Sequence, residues 1–169
     1  DGQTHVLDEA ESKHAVKVLR LKQGDPVVLV DGIGGWYEAV IAEDHPKRCS
    51  VDIRSHTPAY RPLPYHLHLA ISPTKNMDRF EWFLEKATEI GISEITPLIC
   101  HRSERKQVKP ERLERILVSA MKQSLRAFKP ELHPCTPFAS FVEARREGTR
   151  GIAHCLPTER LGITDVPRN

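Results

Sequence analysis

Between His66 and Cys100 the chain passes from one short apolar segment, HLHLAIS, through KNMDRFEWFLEKATEIG, into a second apolar segment, ISEITPLIC. That order limits the fold more than any other feature. Phe80, Phe83, Leu84, Ala87 and Ile90 recur at spacings of three and four, which sets one stripe of a helix, starting near Asn76, against a core. Two strands separated by a helix cannot close as a hairpin, so they are expected to lie parallel, with the helix crossing over. The rhythm continues. Pro110 suits the first turn of a helix from Glu111 to about Ala127, with Leu113, Ile116, Leu117, Ala120 and Met121 inward. FASFVEARREG reads as a third helix and GIAHCLP as a third strand, giving an α/β unit in which ligands are expected beyond the carboxyl ends of the strands.

The first sixty residues have a different pattern. Asp8 followed by Glu11 is a capping-box-like pair that starts a short helix expected to turn Ala15, Val18 and Leu19 inward. VVLVDG, WYEAVIAED and CSVDIRSH read as strands, with Gly32, Gly34 and Gly35 allowing the reversal between the first two. Short strands around one core suggest a small barrel. The proline-rich TPAYRPLP, residues 57–64, marks a linker. The expected division is 1–60 for the barrel, 61–64 for the linker and 65–169 for the α/β unit.

The formal net charge of +2 over 169 residues is too small to argue for a nucleic-acid partner. Local clustering argues for one. Arg102, Arg105, Lys106, Lys109, Arg112 and Arg115 stand against only Glu104, Glu111 and Glu114. Cys49, Cys100, Cys135 and Cys155 form no CxxC pair, and no apolar run approaches a membrane span, so a reducing, cytoplasmic setting without a membrane partner is expected. The pairs Cys100-His101, His133-Pro134-Cys135 and His154-Cys155 lack metal-ligand spacing, and no metal site is expected. Asp1 at one end and VPRN at the other suggest the edges of a fragment.

Taken together, several segments resemble the bacterial 16S ribosomal RNA uridine-N3 methyltransferases of the knotted SPOUT superfamily. SPTKNMDRFEWFLEKATEIGI matches the family's strand-end lysine, charged helix start and helix ending, here Lys75, Asp78, Arg79, Glu81, Lys86, Glu89 and Gly91, with Ile90 at the usual leucine position. PLICHRS, with Arg102, matches its Pro-Leu…Arg-Ser stretch, and SAMKQSLRAFKP supplies Gln123, Ser124, Arg126 and Pro130. Lys122 stands where the family often has an acid. VLRLKQGD, with Arg20, Gly24 and Asp25, resembles the amino-terminal barrel.

The resemblance implies a PUA-like RNA-binding barrel followed by a SPOUT-type parallel α/β domain. It implies S-adenosylmethionine as methyl donor, 16S ribosomal RNA or the small ribosomal subunit as partner, and a homodimer. Arg20, Lys75, Arg79, Arg102, Gln123 and Arg126 are the implied RNA-binding residues. Cys155, Leu156 and Pro157 align with part of the donor pocket. The family's Gly-Pro-Glu-Gly-Gly loop and Leu-Gly-x-x-Ile-Leu-Arg-x-Glu-Thr segment, which form the knot and most of that pocket, do not occur in the sequence. This chain alone is therefore expected to bind the donor weakly and to be inactive. No catalytic residue is identified. The uridine N3 carries an imide proton, so the reaction needs its removal, or a cation to stabilise the anion, and in-line presentation to the sulfonium methyl. Two rival readings are a noncatalytic RNA-binding module lacking the donor pocket and a protein-interaction domain with an incidental basic loop. Salt-dependent RNA binding separates the last from the others.

Overall fold

The computed structural model describes residues 3–144, 147–153, 162 and 165. Strands β1 (Thr4–Val6), β2 (Pro26–Val30), β3 (Trp36–Glu43) and β4 (Ser50–Thr57) form an antiparallel sheet in the order β1-β4-β3-β2. Ala39, Ile41 and Val51 point inward with Cys49 and meet Ala15 of the helical segment. The expected cap is present: the Asp8 carboxylate accepts the Glu11 N–H at 2.8 Å and starts α1 (Glu9–Lys13).

The helix then widens into a π turn, His14–Val18, in which the Leu19 N–H reaches the His14 carbonyl five residues back. The extra residue in this turn rotates the next side chains about the helix axis. Val18 and Leu19, expected inside, are 63% and 56% exposed, and Val16 and Leu21 pack on the core instead. Arg20 makes the reversal in a left-handed conformation, φ 58°.

The second sheet is parallel. It contains β5 (His68–Ile71), β6 (Glu94–Ile99), β7 (Glu131–Leu132) and β8 (Thr136–Pro137), with both β7 and β8 paired to β6. Helices α2 (Met77–Ile90) and α3 (Pro110–Gln123) join the strands, and α4 (Phe138–Glu143) comes directly after β8. Asn76 caps α2 by accepting the Asp78 N–H at 2.9 Å, and Gly91, at φ 95°, ends it in the left-handed region. Phe80, Leu84, Ala87, Leu113 and Leu117 bury the two helices against Ile95, with Leu69, Ile71 and Leu132 beside it.

Strand alternation sends His68, Glu94 and Thr96 to the opposite face. On that side Phe141 of α4 meets the His68 ring edge-on at 5.5 Å.

Some of the sequence expectations shift here. Ile90 is 60% exposed: at ~100° per residue it falls well off the Phe80–Leu84–Ala87 line, and Thr88 is buried in the last turn, its hydroxyl donating to the Leu84 carbonyl at 2.8 Å. Helix α3 ends at Gln123 rather than near Ala127, because Leu125 adopts φ 52° and turns the chain so that Ala127 is buried. In GIAHCLP, residues 151–153 form no strand and 154–157 lie outside the described residues. The place beside β6 belongs to ELHPCTP, through β7 and β8.

The two sheets meet along a narrow polar seam. The Gly34 N–H donates to the Ala127 carbonyl and the Lys129 N–H to the Gly32 carbonyl, each at 2.9 Å. Gly34 sits at φ 111°, and a β-carbon there would lie 2.5 Å from the Phe128 ring. The Asp31 carboxylate holds this turn by accepting the N–H groups of Ile33 and Gly35 at 2.9 and 2.8 Å and the Tyr37 hydroxyl at 3.1 Å. Trp36 stacks on Tyr60 at 4.3 Å, and Lys122 of α3 pairs with Glu11 of α1.

Candidate functional site

The carboxyl ends of β5 and β6 are continued by two loops that are tied together. The Ser72 and Ser103 hydroxyls share a hydrogen bond of 2.8 Å, and the Ser103 oxygen also accepts the Cys100 N–H at 2.8 Å. The Arg105 guanidinium donates to the Lys75 carbonyl at 3.1 Å, while the Lys75 ammonium pairs with Glu104 at 3.1 Å. Both loops are thereby held at one edge of the sheet. Lys75, Glu104, Arg105, Lys106 and Gln107 line an open cleft of about 450 Å3 there. Lys75, Arg102, Arg105 and Lys106 are all exposed, and Arg79 is exposed on the adjoining first turn of α2. Among the described residues, Lys75 alone of these five cations pairs with a carboxylate; a rim of this kind attracts a polyanion.

Of the residues expected to bind RNA, the fold brings Lys75, Arg79 and Arg102 to this edge. It does not bring the other three. Gln123 and Arg126 lie at the far ends of 14-residue helices, about 20 Å away along the helix axis. The Arg126 side chain is a helix cap: Nε donates to the Glu89 carbonyl at 3.1 Å, and Nη2 to Glu89 and Ile90 carbonyls at 2.8 and 3.0 Å. These satisfy the free carbonyls at the end of α2, where a cation also opposes the helix dipole. Gln123 shares a groove of about 570 Å3 with Glu81, Glu85 and Glu89 and with Arg112 and Arg115, a lining of mixed sign rather than a cationic one. Arg20 is exposed on the antiparallel unit. Cys155, Leu156 and Pro157 lie outside the described residues.

The basic cluster is also divided. Arg112 points back to α2, its Nε 2.7 Å from one Glu81 oxygen and its Nη2 donating to the other at 2.9 Å, and this partner raises its pKa. Arg115 donates to the Glu111 carbonyl at 3.2 Å. Sequence reasoning missed the serine pair. Its only signal is a serine in the loop after each of two adjacent apolar strands, directly after β5 and four residues beyond β6.

A second group of ionisable side chains occupies the other end of the sheet. Glu94 has His66 Nε2 at 3.0 Å, His68 Nδ1 at 3.3 Å and His133 Nε2 at 2.5 Å. Burial alone would push the Glu94 carboxyl up. The His133 hydrogen bond and the fields of His68, His133 and His66 outweigh it and hold Glu94 below its ordinary value.

Known proteins share this architecture. A family model described as an RNA methyltransferase domain matches residues 61–164, and one described as an RNA methyltransferase PUA domain matches residues 7–54. The chain is 31% identical over 142 residues to ribosomal RNA small subunit methyltransferase E of Synechocystis, covering 83% of this chain and 46% of that protein. A probable rRNA-methyltransferase structure from Porphyromonas gingivalis is 38% identical with a TM-score of 0.78, covering 85% of this chain and 60% of that one. Ribosomal RNA small subunit methyltransferase E of Neisseria gonorrhoeae, solved bound to S-adenosyl methionine, is 25% identical with a TM-score of 0.78, covering 86% and 61%. The chain spans about half the length of the curated relatives it matches. With an antiparallel PUA-like unit joined to a parallel α/β unit, and a family match over most of its length, the chain belongs to the RNA methyltransferase domain family.

Proposed function

We propose that the protein to which this chain contributes transfers a methyl group from S-adenosylmethionine to N3 of a uridine in 16S ribosomal RNA. The observation that supports this reading best is the cationic rim on the two tied loops at the carboxyl edge of the parallel sheet. Family membership and a relative solved with the methyl donor support the chemistry. Residues 1–60 serve as the PUA-like RNA-binding unit, 61–64 as linker and 65–169 as the first part of the SPOUT domain. The protein acts in the cytoplasm, as a homodimer.

The described residues fit RNA better than they fit the donor. S-adenosylmethionine carries a positive sulfonium, and the cleft at the sheet edge presents Lys75, Arg105 and Lys106 against one carboxylate, Glu104. Like charge disfavours the donor there. The part of this chain assigned to the donor is Cys155, Leu156 and Pro157. Lys75, Arg79 and Arg102 hold the RNA backbone by charge and keep the target base at the sheet edge. A cation beside the base also stabilises the anion left when the N3 imide proton departs.

The test is RNA binding as a function of salt, with the wild-type chain, Lys75→Ala, Arg102→Ala and the double variant. Removing one phosphate contact makes the dependence of log affinity on log salt shallower by about one. Reverse transcription of 16S RNA from cells that carry only the double variant, in the full-length protein, should read through the modified uridine, because N3 methylation blocks base pairing. Unchanged salt slopes with unchanged modification would overturn the reading. An unchanged modification pattern in cells lacking the protein would remove the catalytic assignment and leave the noncatalytic RNA-binding module.

A further inference from the structure

The geometry points to a second, separate site: His68, Glu94 and His133 form a three-ligand binding site for a divalent first-row metal ion of the zinc class. The three side chains come from different strands. His68 and Glu94 are the first residues of β5 and β6 and stand directly opposite one another in the parallel register, and His133 comes immediately after β7. Their donor atoms all lie within 4.8 Å of one another. An ion with bonds of about 2.0 to 2.2 Å needs tetrahedral donors roughly 3.3 to 3.6 Å apart, so adjustments at the level of side-chain rotation suffice.

The His68 imidazole is oriented by an outer hydrogen bond, and His133 faces a carboxylate beyond hydrogen-bond reach. His68 Nε2 is 2.7 Å from the Thr96 hydroxyl, which leaves Nδ1 toward Glu94. His133 Nδ1 lies 3.7 Å from the Glu131 carboxylate, which leaves Nε2 toward Glu94. A histidine whose second nitrogen meets a hydroxyl or carboxylate is the usual support of a metal ligand. The side chains of His68, Glu94 and His133 are 15%, 24% and 29% exposed, so the site is sheltered yet open to an entering ion. His66 is more exposed and reaches the second Glu94 oxygen at 3.0 Å.

Two imidazoles and a carboxylate favour zinc-like ions over calcium or magnesium, which prefer oxygen donors throughout. The site lies at the amino end of the sheet, away from the cationic rim, so its role is to clamp three strands rather than to touch RNA. Sequence spacing could not show it. Residues 68, 94 and 133 are brought together only by strand register.

The test is titration of Zn2+ and Co2+ into the chelator-treated chain, followed by calorimetry, thermal unfolding and the visible spectrum of bound Co2+. The expected result is one equivalent bound at micromolar or tighter affinity, a rise in Tm, and cobalt ligand-field bands without thiolate charge transfer. Glu94→Gln, which keeps the side chain's size, and His133→Ala should each weaken binding by more than tenfold. Thr96→Val should weaken it by about tenfold through loss of the His68 support. No saturable binding, unchanged affinity in Glu94→Gln and His133→Ala, or a thiolate band that points to Cys135 would each overturn the proposal. A variant that fails to fold is replaced by His68→Gln, read in the same way.

Discussion

The antiparallel and parallel units bury cores of different make. The first closes over Ala15, Ala39, Ile41, Cys49 and Val51, mostly small side chains, and leaves Val18 and Leu19 outside. The second closes over Phe80, Leu84, Ile95, Leu113 and Leu117, each 2% exposed or less. At about 25 cal/mol per Å2 of apolar surface removed from water, the larger side chains carry more of the stability. The smaller unit compensates with polar fixtures: the Asp8 cap, the Asp31 turn and the seam to Ala127–Lys129. The contrast leads to an expectation: the strand-rich unit with a thin core relies more on its neighbour than does the helix-covered sheet, whose own core is larger.

The two tryptophans allow the contrast to be broken, since Trp36 lies in β3 and Trp82 in α2. The largest effect is expected from Leu117→Ala. It removes a fully buried side chain between α3 and the sheet and should cost roughly 2 to 5 kcal/mol. In urea, the fluorescence transition of a variant retaining only Trp82 should shift by that amount, and the Trp36 transition by less. Equal shifts would mean that the two cores unfold as one and that the smaller has no separate stability.

Gly34→Ala should come next. The added methyl meets the Phe128 ring and the backbone lies at φ 111°, a cost of about 1 to 3 kcal/mol at the seam. The expected outcome is an earlier Trp36 transition with Trp82 nearly unmoved. Adding Phe128→Leu should restore part of the loss. No restoration would show that backbone strain, and not the ring contact, accounts for the effect.

The smallest effect is expected from acid. Burial is the largest single influence and raises the Asp31 pKa, but the hydrogen bonds from Ile33, Gly35 and Tyr37 together outweigh it and leave the pKa below the usual 3.8. The unfolded chain therefore takes up this proton more readily than the folded one. Asp31's contribution is complete above the ordinary carboxylate value and disappears as pH falls through the lower, folded value. Asp31→Asn should flatten the Trp36 stability profile below about pH 4 and leave the Trp82 profile unchanged. An acid limb of the same steepness in Asp31→Asn would assign it to other carboxylates.

Much of the fold is legible in the sequence because it depends on local periodicity. The Asp8 cap, Pro110 at the start of α3, the Gly91 stop and the inward line of Phe80, Leu84 and Ala87 all arise from spacings of three to four residues. Misreadings occur where local and tertiary signals part. A π turn is one residue longer per turn than an α-helix, and nothing in HAVKV announces it, so α-helical periodicity puts Val18 and Leu19 on the wrong side. Two-residue strands such as β7 and β8 are too short to alternate and exist because β6 offers free backbone groups.

The candidate site is legible by halves. Lys75, Arg79 and Arg102 come from the rule that strand ends carry ligands, together with family resemblance. Arg126 comes from a motif as well, but its guanidinium is committed to the carbonyls of Glu89 and Ile90, a contact between residues far apart in sequence.

By itself, the sequence determined the alternation of strand and helix from β5 to α3, the parallel character of the second sheet, the family and the basic sign of the loops after β6. Those properties reside in hydrophobic period, turn residues and charge, which act over a few residues. Only the tertiary structure decided which cations face solvent and which hold helices, that Ser72 and Ser103 tie two loops, and that His68, Glu94 and His133 converge. Each of these depends on strand register and helix docking, which bring together groups whose separation along the chain carries no local signal.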